Sequence, residues 1–112
     1  MSAPDRKQFQ LVLTTCPDSA VAERIARELI ETRAAACVNI VPISKSVYLW
    51  RGKVESTAEQ LLVIKSMTGA YKSIESVILK RHPYETPEVV AVPIVEGSTD
   101  YLSWIADPDR AS

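Results

Sequence analysis

A chain of 112 residues fits one domain, and with 46% hydrophobic and 24% charged residues it holds enough apolar material for a core without disulfide or zinc staples. Thirteen basic against fourteen acidic residues leave a net charge of −1, which excludes the electrostatic footprint of a duplex nucleic-acid binder or a polybasic membrane-surface protein. The same balance excludes disorder and coiled coil as the main state. The polar start MSAPDRKQFQ lacks the apolar run of a secretory signal, and no stretch reaches the ~20 apolar residues of a membrane span, so a cytoplasmic protein is expected. Cys16 and Cys37 form no Cys-x-x-Cys pair and the chain has one histidine, so a structural zinc site within one subunit lacks ligands.

Residues 1–8 read as a polar tail. Phe9 to Cys16 form a short apolar run that stops at Pro17-Asp18, as a first strand ending in a turn does. Asp18 or Ser19 can cap a helix in which Val21, Ala22, Ile25, Ala26, Leu29 and Ile30 share a face, ending near Arg33. Residues 36–43 are rich in β-branched side chains and make a second strand that ends or lies at an edge near Pro42. Val47 to Trp50 form a strand, Arg51-Gly52 a hairpin turn, and the chain then runs extended from Lys53 to Ser66.

That last run is long for so small a chain. Fourteen residues at ~3.3 Å each span about 46 Å, against roughly 35 Å for the diameter of a sphere with the radius of gyration expected at this length. Part of the hairpin should overhang and pair its edge with another chain, unless Glu55 to Gln60 form a loop. Thr68 is a candidate cap for a second helix with Tyr71, Ile74, Val77 and Ile78 on one face, stopped by His82-Pro83. Glu88 to Val95 make a further strand, bulged or at an edge because of Pro93. Ser98 can cap a final helix carrying Tyr101, Leu102, Trp104 and Ile105, with 107–112 as a polar tail. The order of elements is that of a split βαβ, ferredoxin-like α/β (α+β) domain, which by itself chooses no function.

Four separated segments, AAACVNIVPISKSVYLWRGKVE, LLVIKS, RHPYETPEVVAVPI and GSTDYLSWI, together resemble the CutA divalent-cation tolerance family across residues 9–105. The resemblance implies a ferredoxin-like fold, a PII-like homotrimer, binding of copper(II) or another divalent cation linked to metal tolerance, and no established catalytic reaction.

The candidate metal ligands are His82, Glu88 and Cys16. His82 is the only imidazole, a favoured copper(II) ligand, and is otherwise a helix-end histidine that meets carbonyls or water. Glu88 lies six residues on across the stiff Pro-Tyr-Glu-Thr-Pro bridge, and is otherwise a strand-end glutamate. Cys16 ends the first strand, where a thiolate can join a copper site and a buried thiol is simply a small hydrophobe. Two departures from the family stand out. Its first-strand cysteine falls at the place of Thr14, and its frequent second histidine at the place of Arg81. Cys37 reads as core, and Trp104 and Tyr101 as packing residues of the last helix. Lys65, Tyr84, Trp50 and Glu55 are candidates for a subunit cleft that binds a small anion, the feature of an alternative, PII-like signalling or scaffold role.

Other chemistries lack their parts. Three glycines build neither a dinucleotide fingerprint nor a phosphate loop, no serine sits in a G-x-S-x-G elbow, and a Cys16–His82 nucleophile pair has no orienting third residue. Leu61 to Ile64 offer no stacking aromatics for RNA.

Overall fold

The computed structural model describes residues 8–110 of the chain, so the expected N-terminal tail, apart from Gln8, lies outside the described residues, as do Ala111 and Ser112. The elements are β1 (Phe9–Cys16), α1 (Ser19–Glu31), β2 (Cys37–Trp50), β3 (Lys53–Met67), α2 (Tyr71–Arg81), β4 (Val90–Pro93) and α3 (Thr99–Ala106). The strands form one sheet in the order β2-β3-β1-β4, antiparallel at every pairing, which is the ferredoxin-like arrangement the sequence predicts.

Local chemistry sets the helix ends. Asp18 Oδ1 accepts the Val21 N–H at 2.9 Å and starts α1, filling one of the orphan donors of its first turn. At the other end Arg33 takes φ 64°, with the Arg33 N–H on the Ile30 carbonyl at 3.1 Å and the Ala34 N–H on the Leu29 carbonyl at 3.0 Å. This is a Schellman stop with arginine in place of the usual glycine. Thr68 does not cap α2: β3 runs on to Met67, Thr68–Ala70 make a single 3-10 turn, and α2 begins at Tyr71 without a side-chain cap. Pro83 ends α2 by forcing His82 into extended backbone (φ −79°, ψ 135°). Ser98 caps α3, its hydroxyl accepting from the Tyr101 N–H at 3.4 Å.

Two strand expectations change. The segments 36–43 and 47–50 are one strand, β2, whose ladder with β3 passes from Ile43↔Glu59 to Ser46↔Thr57. Ser44 and Lys45 thus oppose Ala58 alone, a bulge. Pro42 is tolerated within it because β2 is an outermost strand of the sheet. Glu55 to Gln60 are strand, as the extended run from Lys53 predicts. β4 is shorter than Glu88–Val95, because the chain before Val90 turns away from the β1 ladder. The hairpin turn is Arg51-Gly52 between paired Trp50 and Lys53, with φ 51° and 80°, the doubly positive conformation that matches strand twist.

The hairpin stretches the molecule to 53 × 25 × 24 Å with a radius of gyration of 15.1 Å, against about 13 Å for a compact chain of this length. The α1/α2 layer covers one sheet face, where Ile25, Leu29, Ile74 and Ile78 bury Val12, Cys16, Leu62 and Ile64. On the other face α3 covers only one end, burying Phe9 under Leu102 and Ile105. Along the alternate positions of that face, Val41, Val90 and Val92 are exposed and Leu11, Leu13, Leu61 and Val63 half-buried. Past Pro108 the expected polar tail turns back, and Asp109 pairs with Arg33 at 2.8 Å.

One buried atom in the helix-facing core is left without a partner. Thr14 is fully buried and its hydroxyl oxygen meets no hydrogen-bonding group among the described residues. An unmet buried hydroxyl costs about 1–3 kcal/mol. Thr14→Val keeps the shape, so its unfolding free energy should rise by about 1 kcal/mol in urea denaturation; a loss of stability would show that the hydroxyl is satisfied.

Candidate functional site

Among the described residues a cavity of about 580 Å³ lies where β1 ends. Its lining comes from three places: Thr15 and Glu59 on the central strands, Ser46, Val47, Tyr48 and Trp50 on the outer half of β2, and Tyr84, Glu85, Thr86 and Glu88 after α2. The bulge at Ser44-Lys45 precedes the outer half of β2, and bulges bend and twist a strand. The tip is tied back to the 84–88 segment by Arg51, whose guanidinium lies 3.4 Å from Glu85 and 5.3 Å from the centre of the Trp50 ring.

His82 anchors the inner wall. It is only 8% exposed; Nε2 lies 2.6 Å from the Thr15 carbonyl and Nδ1 accepts the Tyr84 N–H at 3.1 Å. Because Nδ1 faces a donor and Nε2 an acceptor, the proton sits on Nε2 and the ring is the neutral tautomer. Its ring then packs against Tyr84, centroids 4.6 Å apart. Tyr84 in turn donates its O–H to Glu59 Oε2 at 3.0 Å, and burial, followed by the hydrogen bond and charge of Glu59, pushes its phenol up to about 12. The hydroxyl is therefore a fixed donor at neutral pH. Glu59, 7% exposed, is the buried carboxylate of the site.

The three predicted metal ligands do not converge. Among the described residues no group of three His, Cys, Asp or Glu could hold a metal ion. Both His82 nitrogens are engaged within the chain, so a metal at either must displace a hydrogen bond. Cys16 belongs to the α1/α2 core, fully buried, and burial together with Glu59 and Asp18 pushes its thiol up to about 11, so no thiolate is offered. Glu88 is exposed and lines the cavity. Arg81, at the family's second histidine, points its guanidinium to Glu28 of α1 at 2.8 Å and fastens the two helices together.

The four residues expected at a subunit cleft divide within one chain. Tyr84 and Trp50 do line the cavity, but Lys65 and Glu55 do not; the Lys65 ammonium lies 5.7 Å from the Tyr101 ring of α3. The charged side chains of the lining are Glu59, Glu85 and Glu88. Cys37 is half-buried on β2 and not core. The sequence reading missed Glu59 and Tyr48: an isolated glutamate in a long strand carries no signal until a tertiary neighbour covers it.

Comparison with known proteins bears directly on this geometry. Residues 10–108 match the family model described as CutA1 divalent ion tolerance protein. This chain belongs to the CutA family. It is 42% identical over 95 residues to the divalent-cation tolerance protein CutA of Pectobacterium atrosepticum, covering 85% of this chain and 86% of that protein. To the Thermus thermophilus CutA it is 45% identical over 98 residues, covering 88% and 95%. Among solved structures, that of the Thermus protein gives a TM-score of 0.84, covering 87% of this chain and 94% of that one. The Archaeoglobus fulgidus protein, described as a periplasmic divalent cation tolerance protein CutA, gives 0.86 at 36% identity, covering 88% and 96%.

The position of Cys16 in this CutA chain yields a prediction. Native protein treated with iodoacetamide at pH 8 should leave Cys16 unmodified by mass spectrometry, and denaturant should expose it to alkylation. Since the folded thiol binds its proton more tightly than the unfolded one, stability is whole below about pH 8.5 and declines as pH rises towards 11. Cys16→Ala should flatten part of that alkaline slope; an unchanged slope would place the titrating group elsewhere.

Proposed function

We propose that this chain serves divalent-cation tolerance as a homotrimer that binds copper(II) or another divalent cation, with Glu88 and His82 at the candidate site and further ligands from a neighbouring subunit. The observation that carries the assembly is the open sheet face. Leu11, Leu13, Leu61, Val63, Val41, Val90 and Val92 lie on it with no helix over them, and the overhanging hairpin adds Leu49 and Val54, 71% and 75% exposed. A contiguous apolar surface beside a protruding two-stranded ladder is what a subunit interface covers. The metal reading is supported by the family's description as divalent ion tolerance proteins and by the acidic lining of the cavity. Carboxylate and imidazole donors suit copper(II) and the harder divalent ions, and His82 joins only by giving up one of its two hydrogen bonds. We read no catalytic role, and place the chain in the cytoplasm, where its free thiols Cys16 and Cys37 stay reduced.

Light scattering at micromolar concentration, with and without stoichiometric copper(II), should return the mass of three chains in both conditions. A metal-free monomer would break the assembly reading. Calorimetric titration with copper(II) should show Glu88→Gln binding at least tenfold more weakly, with a smaller loss in His82→Ala. Equal affinity in wild type and both variants would remove these residues from the metal site.

A further inference from the structure

We draw no further inference here: the strongest candidate, the cavity of about 180 Å³ between the turn at Pro108–Arg110 and the end of β3, carries nothing, because its Arg33 and Asp109 already pair with each other at 2.8 Å on the exposed surface and its buried Ser66 hydroxyl is held by Gln10 at 3.1 Å, so that nothing in it points to a ligand.

Discussion

The continuous pairing of β2 with β3 is the constraint from which the rest follows. Twelve cross-strand pairs run from Cys37↔Lys65 to Trp50↔Lys53, and the outer ones lie beyond the reach of either helix layer. A two-stranded ribbon alone in water is marginal. Its outer residues Val47, Leu49 and Val54 are exposed and apolar, so the hairpin holds its shape through ladder hydrogen bonds and a tight turn while leaving side chains that want a cover. The extended shape, the incomplete sheet face and the cavity all derive from a strand that outgrows its own domain.

The cavity depends on an irregularity in that ladder. Ser44 and Lys45 stand opposite Ala58, and beyond this bulge Tyr48 and Trp50 face the segment that follows α2. Pro83 stops the helix, His82 is fixed by a carbonyl of β1 on one nitrogen and the Tyr84 N–H on the other, and Tyr84 is thereby set against Glu59. The imidazole thus works as a brace between β1 and the 84–88 segment. A network in which each member satisfies the next is costly to break at any one point.

The fold was largely legible because its signals are local. The i, i+4 face of α1, the Asp18 and Ser98 caps, the Arg51-Gly52 turn and the Pro83 stop each act within a few residues. The errors fell where a neighbour distant in sequence decides. Whether Pro42 ends a strand or rides within it depends on which side of the sheet is free, and β2 lies outermost. Thr68 lost the cap role because β3 persists to Met67. The site was legible only in part: Tyr84, Trp50 and Glu88 stood out by residue type, while the hold of the Thr15 carbonyl on His82 and the place of Cys16 in the helix-facing core are set by neighbours distant in sequence.

By itself the amino-acid sequence determined the family, the order of elements and the overhang of the hairpin, because hydrophobic period, caps and strand length are properties of short segments and of chain length. Only the tertiary structure decided the sign of the cavity. Burial and proximity, not residue identity, govern a charged group's chemistry. Lys65 shares the open face with Leu11 and Val63 and reaches towards Tyr101, while Glu59, unremarkable in the sequence, is sealed beneath Tyr84 in a lining whose charged side chains are carboxylates.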